Sequence, residues 1–199
     1  MPAVLDLMAV DARVRARTPS ATPPFAQARD RAGRGCVHYA ARGGHVGVLE
    51  ALVAAGADVG AVDKDARGGL FYAARHGQAE ACAWLLQKGA SQAQDVHGLS
   101  PLHMAVLARS AACCALLLRH GANVCAKDLN GLTPYKLAKR FLSPVCYYES
   151  RLVLLALQEH IAGLGQAVRE EAGLTAARLP LLQHAKPEKA GALAREGAL

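Results

Sequence analysis

Apolar residues along this chain fall at helical spacing in short paired bursts, never in long runs. The stretch from Leu99 to Ala122 shows the unit. Ser100 and Pro101 open it. A hydroxyl can cap free amide groups, and proline fits a first helical position because its missing N–H has no partner there. Apolar positions then recur, break near Ala108-Arg109-Ser110, and resume through Leu116-Leu117-Leu118. Gly121 supplies the left-handed residue that stops a helix. The pattern predicts a helix, a short turn and a second helix.

The unit recurs. His38-Tyr39-Ala40-Ala41 is followed 33 residues later by Phe71-Tyr72-Ala73-Ala74. His103-Met104-Ala105-Val106 comes 32 after that, and Lys136-Leu137-Ala138-Lys139 another 33 on. The closing pairs Gly56-Ala57, Gly89-Ala90 and Gly121-Ala122 keep step, as do turns opening at Asp30, Asp63, Asp95 and Asp128. Two stretches, Ser100-Pro101-Leu102-His103-Met104-Ala105 and Leu132-Thr133-Pro134-Tyr135-Lys136-Leu137-Ala138, resemble the T-P-L-H-x-A signature of the ankyrin-repeat family, whose period is about 33. The resemblance runs from about Asp30 to Leu157. It implies an all-α solenoid of stacked helix-turn-helix units joined by hairpin-like turns, with repeats at 30–62, 63–94, 95–127 and 128–157.

The repeats depart from that pattern unequally. Gly35-Cys36-Val37-His38 stands where Thr-Pro-Leu-His is usual, and Gly68-Gly69-Leu70-Phe71 loses Thr, Pro and His together. The Asp63–Gly69 turn is therefore expected to be the weakest point of the array, and the third repeat the stability centre. In the second repeat, Ala79, Cys82, Ala83, Leu85 and Leu86 are core candidates. The fourth repeat inserts Phe141 to Tyr148 before a second helix expected at about Glu149–Glu159. Residues 1–29 read as the second helix of a half repeat followed by a Pro-rich insertion, Thr18 to Pro24; such a start could reflect a truncated isoform or a docked partner. Residues 158–199 read as a helical cap and a flexible tail.

Composition narrows the chemistry. Apolar residues make 52% of the chain and aromatic ones only 5%, which suits thin helical layers packed through small side chains. The net charge of +7 includes seven Arg against three Asp in residues 1–45 but no Lys/Arg run, so nucleic-acid binding, which needs a dense basic stripe, is not indicated. Six cysteines show no CxxC, and most fall where a helix faces its neighbour, as small hydrophobes of a reduced cytoplasmic or nuclear protein. No signal peptide is visible, and the apolar run Leu152–Leu157 falls far short of the about 20 residues that cross a bilayer.

No residue set points to catalysis, a cofactor or a metal. In the family this chain resembles, a His at the place of His38 and His103 bonds neighbouring loop backbone, so these two read as structural. Cys82, Cys113 and Cys114 lack an orienting group or oxyanion loop. Asp63-Lys64-Asp65 fits no EF-hand spacing, and there is no phosphate-binding GxxxxGK[ST]. Function is expected on the surface, in a monomer binding a partner protein and no small-molecule substrate.

The resemblance implies a concave face of hairpin tips and first helices. The repeat register assigns to it the columns Arg34-Arg67-Leu99-Leu132, Arg42-Arg75-Leu107-Arg140 and Tyr39-Tyr72-Met104-Leu137, with His97 at a tip. These turn from cationic and aromatic to apolar, which suits a partner with an acidic segment and a hydrophobic one. Two alternatives to a scaffold or adaptor stand beside this. Arg178-Leu179-Pro180-Leu181-Leu182 faintly resembles the recruitment box of ubiquitin-ligase substrate receptors, without its preceding Leu-x-x-x-Cys helix, and the basic surface would suit a nuclear transcription regulator.

Overall fold

A computed structural model describes residues 28–140, 147–164 and 171–172. The half repeat, the Pro-rich insertion, Phe141–Cys146, the Arg178–Leu182 box and the C-terminal tail lie outside the described residues. Among the described residues, eight helices fall in four consecutive pairs. They are α1 (Cys36–Gly43) with α2 (Val46–Ala54), α3 (Gly69–Arg75) with α4 (Ala79–Gln87), α5 (Pro101–Leu107) with α6 (Ala111–Arg119), and α7 (Pro134–Arg140) with α8 (Tyr147–Ala162). No extended strand occurs among the described residues; two isolated antiparallel bridges, Arg29 to Gly35 and Val62 to Gly68, close hairpin tips.

Seven of these helices are nine residues or shorter, too short to persist alone in water. They stand because each pair buries its neighbours. The inner helices α1, α3, α5 and α7 lie side by side, and α2, α4, α6 and α8 form the outer row. Alanine makes the inner contact thin: Ala41, Ala73, Ala74 and Ala105 are fully buried. Leu49, Leu52, Leu85, Leu117 and Leu157 fill the space between rows. In α4 the buried set is Ala81, Cys82, Leu85 and Leu86, so Ala81 takes the place expected for Ala79 and Ala83, which are half-buried.

The turns repeat one device. Each opening Asp accepts backbone N–H groups two and four residues on. Asp95 Oδ1 takes His97 N and Leu99 N, both at 2.9 Å, and Asp63 Oδ1 takes Asp65 N and Arg67 N at 2.9 and 2.8 Å. Asp30 and Asp128 do the same. Each tip then bonds the tip before it, with Lys64 N to Ala32 O, Val96 N to Asp65 O, and Leu129 N to His97 O. Gly98 sits at φ +73°, and a Cβ there would come within 2.8 Å of the Lys127 carbonyl in the next tip.

Buried imidazoles tie turn to turn. In the third repeat, Ser100 N donates to His103 Nδ1 at 3.1 Å, which leaves Nε2 protonated to donate to Leu132 O at 3.1 Å. In the first, Gly35 N donates to His38 Nδ1 at 2.9 Å, and His38 Nε2 reaches Arg67 O at 3.1 Å. The structural role expected of both histidines is what the geometry shows. Burial lowers the pKa of each, so both are neutral links.

The second repeat has Phe71 at that position, and its turn carries a link that the expectation of weakness left out. Arg67 replaces the missing imidazole link. Its Nε bonds Asp95 Oδ2 at 3.0 Å in the next turn, and its Nη1 bonds Asp65 Oδ2 at 2.8 Å. The guanidinium also lies 5.4 Å over the Phe71 ring. The strain in this turn is local: Ala66 has φ +62°, where Gly33, Gly98 and Gly131 occupy the matching places.

At the far end, α8 runs from Tyr147 to Ala162, beyond both ends of the helix expected there. Gln158 Nε2 donates to Tyr135 Oη at 3.2 Å. Thr133 Oγ1 donates to Ala172 O at 2.7 Å. Ala172, beyond α8, thus packs against the fourth repeat and is fully buried.

Candidate partner-binding face

The expected face is only partly free. Four of its residues are committed to the fold. Arg67 is held in the clamp to Asp95 and Asp65 just described. Tyr72 is buried, and its hydroxyl donates to Asp63 Oδ2 at 2.6 Å. Burial, then that bond, push the Tyr72 hydroxyl up to about 12. Burial alone would raise the Asp63 carboxyl, but Tyr72 and the Arg67 and Asp65 N–H groups outweigh it and bring it down. Met104 and Leu137 are buried in the layer between inner helices. The physical reason is stacking. Tyr72 has α1 on one side and α5 on the other, so the register that leaves Tyr39 46% exposed buries its counterpart to 7%.

Arg34 is half-buried and satisfied within its own turn, with Nε and Nη2 on Asp30 Oδ2 at 2.8 and 2.7 Å. Tyr39 donates to the same oxygen at 2.6 Å, and Arg34 lies 5.2 Å over its ring. Those hydrogen bonds, Tyr39's first, hold the Asp30 carboxyl far below its ordinary value. Leu99 and Leu132 are half-buried against the core. Arg42, Arg75, His97 and Arg140 are exposed, and Leu107 is 42% exposed. These, with the Tyr39 ring, are what the structure leaves available.

The hairpin tips add residues that the sequence reading did not select. The residue after each turn Asp is exposed: Arg31, Lys64, Val96 and Leu129. Val96 is 56% and Leu129 76% exposed, high values for large apolar side chains. One position past the repeated Asp was the signal that would have found them. This column is cationic in the first two repeats and apolar in the last two, and the inner-helix column Arg42-Arg75-Leu107-Arg140 follows it through the third repeat before returning to a cation in the fourth.

Beside the tips, Val59, Gly68, Gly69, Phe71, Ala90 and Pro101 help to line a notch of about 20 Å³, room for one water and not for a metabolite. Gly68 and Gly69 stand at its wall, where a Thr-Pro pair would carry side chains. Cys82, Cys113 and Cys114 are free thiols buried between α4 and α6. Among the described residues, no three His, Cys, Asp or Glu side chains come together as a metal site. None of the described helices is long and apolar enough to cross a membrane.

Stacked helix hairpins with bonded tips and a graded outer surface define a repeat protein of the interaction type. A family model for ankyrin repeats in three copies matches residues 29–128, just over half of the chain. The chain belongs to the ankyrin-repeat family, and the pair α7–α8 follows that match as a fourth hairpin. Curated relatives include Inversin of Gallus gallus, 34% identical over 94 residues, covering 47% of this chain and 8% of that protein. SH3 and multiple ankyrin repeat domains protein 2 of Homo sapiens is 42% identical over 88 residues, covering 43% and 5%. Tyrosine-protein kinase HTK16 of Hydra vulgaris is 28% identical over 117 residues, covering 57% and 16%. The chain spans no more than 16% of the length of any of these three relatives. Ankyrin repeats generally mediate protein–protein interaction, and the fold is a non-enzymatic one.

Proposed function

We propose that this chain is a non-enzymatic adaptor that holds a partner protein against its hairpin tips and inner helices. The observation that carries the reading is the parallel change of two exposed columns. Arg31 and Lys64 give way to Val96 and Leu129 at the tips, while on the inner helices Arg42 and Arg75 give way to Leu107 in the third repeat, and Arg140 restores a cation in the fourth. Two columns that change together over three repeats fit one extended ligand, acidic at the first two repeats and apolar at the third. Three reduced thiols in the core suit a cytoplasmic or nuclear setting.

The test is affinity capture from a cell lysate by the full chain and by two double variants. Arg42→Glu with Arg75→Glu should abolish capture, and Val96→Asp with Leu129→Asp should weaken the same partner. Unchanged capture by both, with circular dichroism showing both folded, would end the reading.

A further inference from the structure

The cations of the inner helices divide by register. Arg34 and Arg67 are supplied with carboxylates by Asp30, Asp65 and Asp95. Arg42 and Arg75, eight positions further along each repeat, have no ion-pair partner among the described residues and are exposed. They lie at the ends of the adjacent helices α1 and α3. Gln78 Nε2 donates to Arg42 O at 3.4 Å, which ties the end of α1 to the α3–α4 turn. That turn carries His76, also exposed. Three cationic or ionisable donors thus share one edge, and among the described residues no ion pair engages any of them.

We propose that this edge grips a phosphorylated side chain of the partner protein, with Arg42 and Arg75 as forked donors and His76 as the third. The inference rests on the adaptor reading and specifies the anion. A carboxylate carries one charge and two oxygens, which a single guanidinium satisfies in bidentate fashion. A phosphomonoester carries about −1.5 to −2 and three acceptor oxygens, which match two guanidiniums and an imidazolium.

Binding is coupled to a proton. Burial, then Arg42 and Arg75, depress the His76 pKa. At the same end of the surrounding elements stand His45 in the α1–α2 turn, Glu80 at the start of α4 and Arg109 in the α5–α6 turn. A bound dianion reverses the repulsion of the two arginines, so His76 takes up a proton and binding tightens as pH falls.

The experiment uses the full chain, inorganic phosphate, and two synthetic peptides of one sequence carrying phosphoserine or glutamate at the same position. Histidine ring resonances are followed by NMR as a function of pH, with His76→Gln assigning the signal. Phosphate should raise the His76 pKa, where chloride at equal ionic strength does not. The phosphoserine peptide should bind about tenfold tighter than its glutamate twin, a difference of about 1.4 kcal/mol. Arg42→Ala with Arg75→Ala should remove both effects, and His76→Gln should keep binding but flatten its pH dependence.

Equal affinity for the two peptides, or a His76 signal indifferent to phosphate, overturns the phosphate inference. If the Arg42→Glu, Arg75→Glu variant then still loses an acidic partner, the adaptor reading stands without it. Binding to vesicles bearing phosphorylated inositol lipid, with no response to the phosphopeptide, also overturns it.

Discussion

Replacing Arg67 by Ala tests whether this side chain belongs to the fold or to the binding face. The Asp95 side chain is fully buried and receives Arg67 Nε at 3.0 Å. Removing one partner of a buried ion pair costs about 3–5 kcal/mol, because the other charge is left behind. Asp95 keeps two backbone N–H groups on its other oxygen, which draws the cost to the lower end. Loss of the guanidinium over Phe71 adds about 0.5–1 kcal/mol. The expected destabilisation is about 3.5–4 kcal/mol, against the about 5–15 kcal/mol that holds a typical domain.

The loss falls on one junction of a linear array, so the second and third repeats should uncouple. Trp84 is the sole tryptophan and sits in α4 of the second repeat. Urea unfolding of the variant, followed by Trp84 fluorescence and by far-ultraviolet circular dichroism, should give two separated transitions where the parent gives one. Arg67→Lys keeps the charge but not the fork, and should recover no more than about half of the loss. A shift within about 0.5 kcal/mol of the parent, the range of an ordinary surface change, with coincident transitions, would refute the clamp. Arg75→Ala is the matched control and should stay inside that range.

His103→Leu removes the link to the Leu132 carbonyl and should cost about 2 kcal/mol in the same urea assay, since a buried acceptor is left unpaired. Burial depresses the pKa of His38 and His103 in the fold, so between the folded and unfolded values the unfolded chain binds more protons. Their contribution is complete above the unfolded pKa of about 6.5 and is lost as pH falls through the folded pKa; melting temperature against pH should show this slope, shallower in His103→Leu. Asp63 and Asp128 are depressed, so their share is present above about pH 4 and lost below it, a second and more acidic step in the same melting curve. Ala66→Gly relieves a left-handed alanine at φ +62° and should stabilise by about 0.5–1 kcal/mol, less than the full strain because glycine also loosens the unfolded chain.

The cadence was legible because each repeat solves the same local problem with the same residues. An Asp that takes amide groups two and four places on sits five places before the cap of the next helix, and His38 and His103 must follow at a fixed offset to reach the next turn. Such requirements are written within a single repeat, so one chain displays them several times. The availability of Tyr72, Met104 and Leu137 was not legible, because it is settled between repeats. The register put Tyr39 and Tyr72 in one column, but only stacking on both sides covers the second. Arg34 and Arg67 show the same limit in their choice of anion. They occupy matching positions, yet Arg34 closes on its own Asp30 while Arg67 reaches Asp95, 28 residues away. A periodic sequence states which positions are equivalent, and equivalence is not exposure. The residues that remain for a partner are those that neighbouring repeats fail to claim, here Arg42, Arg75 and Leu107 on the inner helices and Val96 and Leu129 at the tips. Their change from cationic to apolar is therefore open to the proposed partner in a way the clamped columns are not.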